Sequence, residues 1–267
     1  MNCESCRKQL DRHRELVRYD DVQIDVIAEG AGSKVVLLPS IGRASDDFDA
    51  VAEALARGGC LVLRPQPRGC FDSKGPMADL TIHDLARDVA KVIEHFGPEK
   101  AVLVGHAFGN WVARMTAVDF PQLVRGVVIA AGADKNFPSR LSENIRRIAS
   151  PATKETEKLT LLQETFFASN SDASVWLDGW YPSVRESQVH ARNTTDKSEW
   201  WSAGGASILD LQADEDPFKK SENRYALQKE LGDRVSVDVI RGASHALFPE
   251  QPQLVAAAIL KWMDRLA

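Results

Sequence analysis

Short apolar runs recur along the first half of the chain with helical patterns between them, and this alternation constrains the fold more than any other feature. The run Lys34-Val35-Val36-Leu37-Leu38-Pro39 shows no polar alternation, as expected of a strand buried on both faces of a parallel sheet. A helical stretch carrying Phe48, Val51, Ala52 and Leu55 follows, stops at Gly58-Gly59 and leads into the strand Cys60-Leu61-Val62-Leu63, completing one βαβ unit. Thr81 is placed to cap the next helix with Asp84 three residues on. Leu85, Val89, Val92, Ile93 and Phe96 form that helix's apolar stripe, and Gly97-Pro98 ends it. The strands Ala101 to Val104 and Val124 to Ala131 flank a further helix that ends at Phe120-Pro121. Strand and helix alternating in this way predict an α/β, doubly wound, mostly parallel sheet.

The remaining segments fit around that frame. Residues 1–14 are polar and predict a frayed or short helical arm, and the runs Leu16 to Tyr19 and Val22 to Ala28, parted by Asp20-Asp21, predict a hairpin. From about 136 to 204 the pattern turns to helical stretches rich in Ser, Thr, Asn and charge, studded with aromatics, which predicts an insertion. The sheet resumes at Ser207 to Leu211 and Val235 to Ile240, with a helix around Tyr225 to Leu231 between them and a closing helix from Pro252 to Leu266. At 267 residues a single domain is expected, with a core of about 15–135 and 205–267.

Composition excludes several function classes. With 44% apolar and 27% charged residues, the chain can bury a sizeable core. A net charge of −5 offers no concentrated basic face for a phosphate backbone, so no nucleic-acid partner is expected. No apolar run approaches the ~20 residues that span a bilayer and no signal-peptide core follows Met1, so a cytoplasmic protein without membrane association is expected. Cys3 and Cys6 form a C-x-x-C without a second pair at metal-ligand spacing, so no metal is assigned, while Cys60 reads as a buried reduced thiol.

Three motifs carry the chemistry. Gly105-His106-Ala107-Phe108-Gly109 lies between an apolar strand and a helix, where a tight turn needs glycine. Gln212-Ala213-Asp214-Glu215-Asp216-Pro217 follows a strand, and Arg241-Gly242-Ala243-Ser244-His245 follows the last one. Each alone reads as an ordinary turn, a solvated acidic loop or a surface histidine. In this order they resemble the nucleophile elbow, acid loop and histidine loop of the α/β-hydrolase superfamily, in particular bacterial, esterase- or lactonase-like members. The likeness extends over residues 17 to 266 and implies an eight-stranded, mostly parallel sheet flanked by helices, with the insertion as a helical cap.

The resemblance assigns His245 as general base and Asp216 as its orienting acid, with Asp214 in reserve. His106 is expected to pack beneath the turn. An oxyanion hole is implied at the backbone N–H groups of Phe108 and Ile41, although Pro39 and Ser40 depart from the usual His-Gly pattern. Alanine stands where the superfamily places its serine. A methyl group cannot attack a carbonyl, and losing the serine of such a triad costs roughly 10⁶ in kcat.

Several readings remain open. A native Ala107 leaves a His-Asp base with an anion-binding pair, suited to activating water on an ester or lactone or to proton abstraction from a carbonyl compound. An Ala107 that replaces a serine makes the chain an inactivated serine esterase; the absence of a tag or cloning scar favours the native residue. A non-catalytic small-molecule binding protein is the third reading. Ser40 and Ser244 lie on loops that can reach the pocket, but neither occupies the elbow. Trp176, Trp180, Tyr181 and Trp201 in the insertion are candidates to line an apolar or aromatic substrate site. No cofactor is implied, and oligomeric state is left open.

Overall fold

The computed structural model describes residues 11–134 and 137–266. Cys3 and Cys6 lie outside the described residues. The sheet has eight strands: β1 (Arg12–Tyr19), β2 (Val22–Gly30), β3 (Ser33–Leu38), β4 (Cys60–Pro65), β5 (Ala101–His106), β6 (Val124–Ala130), β7 (Ile208–Ala213) and β8 (Val235–Ile240). Their spatial order is β1-β2-β4-β3-β5-β6-β7-β8. β1 pairs antiparallel with β2 and β2 antiparallel with β4, and the pairings from β4 through β8 are parallel. The α/β-hydrolase fold expected from the sequence is the fold observed.

Strand β1 begins at Arg12, earlier than its apolar residues suggest, because its charged residues are held from outside the strand. Arg14 pairs with the buried carboxylate of Asp25, and Arg12 reaches Asp49 at 3.0 Å. Residues 12–14 are therefore strand and not part of an arm. Next to the other edge, β7 runs on through Gln212 and Ala213, so the acid loop is shorter than its motif.

Alternation along the strands builds two cores, one on each face. Val36, Leu38, Leu103, Val127 and Ile129 pack against the helices α2 (Ile82–His95) and α3 (Gly109–Asp119). Val35, Leu37, Val102, Val104 and Val128 pack against α1 (Asp49–Arg57) and the closing helix, Pro252–Met263. Burial on both faces explains why these strands lack a polar side. Helix α2 starts at the capping box expected from Thr81 and Asp84, whose side chains and backbone N–H groups bond reciprocally.

Between β6 and β7 lie α4 (Ser139–Ile148), α5 (Glu155–Phe166), α6 (Pro182–Thr194) and α7 (Lys197–Trp200). This helical insertion has its own apolar cluster of Leu141, Ile148, Leu161, Leu162, Phe166, Phe167 and Trp176, which also takes in Phe218 and Ala246 from the loops after β7 and β8. Short helices α8 (Ala226–Leu231) and α9 (Leu247–Glu250) precede and follow β8, and α10 is the closing helix.

Candidate active site

The elbow is a steric solution to a sharp turn. β5 ends at His106 and α3 begins at Gly109, leaving Ala107 and Phe108 to reverse the chain. Ala107 sits at φ +46°, a left-handed conformation that costs a residue with a Cβ about 1 kcal/mol, and its N–H donates to Ala130 O at 2.9 Å. A Cβ on Gly105 would overlap the backbone of Asn110, and one on Gly109 would overlap the carbonyl oxygen of Leu38. Both glycines are required for α3 to leave the strand this closely.

His245 and Asp216, 29 residues apart, meet above the elbow at the ends of β8 and β7. His245 Nδ1 lies 3.0 Å from Asp216 Oδ2 and 3.2 Å from Oδ1. Both residues are buried. Asp216 Oδ1 also accepts from Phe218 N at 2.9 Å, which aims the carboxylate at the ring. With Nδ1–H donated to Asp216, Nε2 is the nitrogen left to act as a base.

The histidine loop is fastened on three sides. Ser244 N donates to Glu250 Oε2 at 2.7 Å, Ser244 Oγ donates to Glu215 O at 3.1 Å, and Ala246 N donates to Phe166 O at 2.8 Å. Ser244 is thus committed to tying two loops together and does not border the cavity beside the elbow. Asp214, the reserve acid, accepts from Gly242 N at 2.9 Å and serves the same loop.

His106 lies beneath the turn, fully buried, with Nε2 donating to His245 O at 2.8 Å. Burial, reinforced by the neighbouring His245, lowers its pKa to about 3 and holds it neutral. Of the two adjacent imidazoles, whose centroids are 5.4 Å apart, only His245 has a carboxylate to stabilise a charge. Cys60 and Cys70 are also buried, and burial raises their thiols to about 11 and about 12, so neither is a reactive thiolate.

Ile41 and Phe108 both border the cavity that contains Ala107 and His245, and neither N–H is among the amides tied up by the turns and loops around them. The Ile41 loop is shaped by its neighbour Gly42, at φ +67°, whose N–H donates to Gln188 Oε1 at 2.7 Å and whose carbonyl accepts from Tyr181 N at 2.9 Å. Helix α6 and the residue before it therefore hold the loop from the insertion side. Ser40 borders the cavity on the same loop.

The cavity measures about 130 Å³. That is close to the size of an engineered cavity, roughly 150 Å³, that accepts benzene. Trp176 and Trp180 line it as the sequence suggests, together with Phe137, Phe166, Trp111 and Phe218. Tyr181 and Trp201 do not, which corrects the expectation for both. Tyr181 turns toward Phe71, 6.4 Å between ring centroids, while its backbone N–H donates to Gly42 O. Trp201 packs on Trp200 and donates from Nε1 to Glu230 at 2.8 Å.

Sequence reasoning missed several residues. Trp111 stands four residues after Ala107, one helical turn along α3, and its spacing alone was a usable signal. Phe218 stands two residues after Asp216, its ring 4.3 Å from that of His245. Arg43 lies with its guanidinium 4.8 Å from the ring centre of Trp176 and 4.7 Å from that of Trp180, paired with Asp47 and bonded to Asp178 O at 2.6 Å. No local pattern marks it, since only Asp47 is near in sequence and Trp176, Asp178 and Trp180 are over 130 residues away. Arg192 borders the cavity from α6. Among the described residues no group of three or more His, Cys, Asp or Glu is gathered to hold a metal, and no helix is long and apolar enough to cross a membrane.

Comparison with known proteins places this geometry. Residues 35–258 match the model of the alpha/beta hydrolase family. A homoserine O-acetyltransferase from Thermus thermophilus is 31% identical over 104 residues, which cover 33% of this chain and 27% of that protein, so the chain spans about a quarter of that relative's length. An sn-1-specific diacylglycerol lipase from Xenopus laevis is 23% identical over 278 residues, covering 95% of this chain and 87% of the lipase. The structure of an esterase from Exiguobacterium antarcticum superposes with a TM-score of 0.77 at 17% identity, over 94% of this chain and all of that one.

Proposed function

The chain belongs to the alpha/beta hydrolase family, and on that footing we propose that it acts on a small apolar or aromatic ester, lactone or carbonyl compound, with His245 as general base and no covalent nucleophile. The observation that carries this reading is the buried His245–Asp216 pair opening on the same cavity as Ala107 and the Ile41 and Phe108 amides. In the hydrolytic form of the reaction, His245 Nε2 removes a proton from water as the water oxygen bonds to the carbonyl carbon. The two amides stabilise the oxyanion, and the imidazolium, held by Asp216, returns the proton to the departing alkoxide. The methyl group of Ala107 leaves room for that water where a serine hydroxyl would stand.

A second reading is favoured by one observation. Ala107 keeps the left-handed backbone that presents a nucleophile, although an alanine gains nothing from it. This supports a serine esterase from which the hydroxyl has been removed.

A panel of aryl esters and lactones separates the two. For the base mechanism, His245→Ala lowers turnover of the best substrate by about 10² to 10⁴, and Ala107→Ser brings no comparable gain. Turnover that is undetectable in the native chain and emerges in Ala107→Ser supports the second reading. Turnover unchanged in His245→Ala removes the base from the mechanism, and tight binding with no conversion in either variant makes the chain a binding protein.

A further inference from the structure

Among the described residues, Arg192 is the one Arg, Lys, Asp or Glu side chain bordering the cavity beside Ala107. It stands at the rim, on the helix that also holds the oxyanion loop through Gln188. Its neighbours leave it available. The guanidinium donates from Nε to Asn193 Oδ1 at 3.3 Å, and no carboxylate among the described residues lies within ion-pair distance of it.

Three of the four buried arginines among the described residues are paired with a carboxylate, and the fourth, Arg114, lies over the rings of Trp200 and Trp201. Arg43 is paired with Asp47, Arg64 with Glu29 and Asp49, and Arg68 with Asp88. Arg185, two turns earlier on α6, also lacks a carboxylate, and its buried Nε finds no acceptor. Partial burial and the positive charge of Arg185 together lower the pKa of Arg192. Two cations on one helix, one of them bordering a mostly apolar cavity, leave a local charge that a ligand can neutralise.

We propose that the cavity takes an organic carboxylate, its aryl or alkyl body among Trp111, Phe166, Trp176 and Phe218 and its carboxylate on Nη1 and Nη2 of Arg192. A planar carboxylate matches one guanidinium with two parallel hydrogen bonds, whereas a phosphate presents more acceptors and charge than one arginine balances. The assignment rests on the proposed function only for the other end of the molecule, whose carbonyl then lies at the Ile41 and Phe108 amides. Arg192 is on this account a specificity determinant, and it does not touch the reacting atoms.

Binding measured without turnover tests it. The probes are ω-phenylalkanoates from phenylacetate to 6-phenylhexanoate and their primary amides, titrated at pH 8 with tryptophan fluorescence and calorimetry. At the best chain length the acid should bind about tenfold more tightly than its amide. The preference should fall to about twofold or less in Arg192→Gln, be partly kept in Arg192→Lys and persist in His245→Ala. Because Arg192 is exposed at the rim, unfolding temperature and circular dichroism of the two Arg192 variants should match the native chain.

An acid preference that survives Arg192→Gln overturns the proposal. So does one lost only in His245→Ala, which would put the carboxylate on the oxyanion site, and so does no acid preference at any length, including no binding. Acid preference carried by Arg192 together with turnover indifferent to His245 upholds this inference and sinks the base mechanism.

Discussion

The sheet and the helical insertion meet at one cavity but are held in place by opposite means. On the sheet side, position follows from backbone geometry. Gly105 and Gly109 leave no room for a Cβ, Ala107 is fixed at φ +46°, and parallel pairing of β7 with β8 sets Asp216 beside His245. On the insertion side, position follows from side-chain clasps. Arg43 lies against Trp176 and Trp180, Glu250 accepts from Ala168 N at 2.7 Å, and Gln188 holds Gly42. The contrast teaches that the elbow and the His245–Asp216 pair are built where change is least tolerated, while the aromatic wall of the cavity is built where side chains can change and leave the frame standing.

The harshest way to break the comparison is at the elbow. Gly109→Val drives carbon into Leu38 O and should cost about 4 kcal/mol or prevent folding altogether. A urea midpoint shifted by less than ~1 kcal/mol would show that the turn is not sterically locked.

Acid comes next in size and should act first on the sheet side, through His106. Its folded pKa, about 3, lies below the ordinary histidine value of 6.5, so between those limits the unfolded chain binds more protons. Stability is therefore fully present above pH 6.5 and falls as pH drops toward 3, by as much as ~4 kcal/mol. Urea titrations at a series of pH values check the slope. His106→Gln, which keeps a donor and cannot ionise, should flatten it.

Arg43→Met sharpens the comparison from the insertion side. It leaves the Asp47 carboxylate without its partner and removes the cation between two indoles, at a cost of roughly 2 to 3 kcal/mol. Hydrogen exchange should quicken across residues 172–182, while β5, β6 and β7 keep their protection. Uniform loss of protection would mean that the insertion and sheet unfold as one unit.

The smallest effects belong to the two aromatics outside the cavity. Tyr181→Ala and Trp201→Phe should change affinity for an aryl ligand by about twofold or less, whereas Trp180→Ala should weaken it about tenfold. Equal effects from Trp201 and Trp180 would redraw the cavity.

Legibility in the sequence divides along the same line. The Thr81–Asp84 cap, the elbow glycines and the order of elbow, acid loop and histidine loop are local in sequence, and each is found where the residues suggest. Trp111 was within reach of helical spacing. Tyr181 and Trp201 were misplaced because an aromatic in a helical segment of mixed polarity shows no preference for a cavity over a neighbouring helix. Their rings meet Phe71 and Glu230 instead, both distant in the chain.

By itself the sequence determined the alternating sheet, because strands buried on both faces admit only apolar residues, and it determined the tight turn at Ala107, because only glycine lacks the Cβ that would collide on either side. Tertiary structure alone decided which insertion aromatics face the cavity, that Ser244 is tied down while Ser40 borders the site, and that Arg192 stands at the rim without a carboxylate. Those outcomes depend on contacts between residues scores of positions apart, whose free energies are summed only when the whole chain has closed around them.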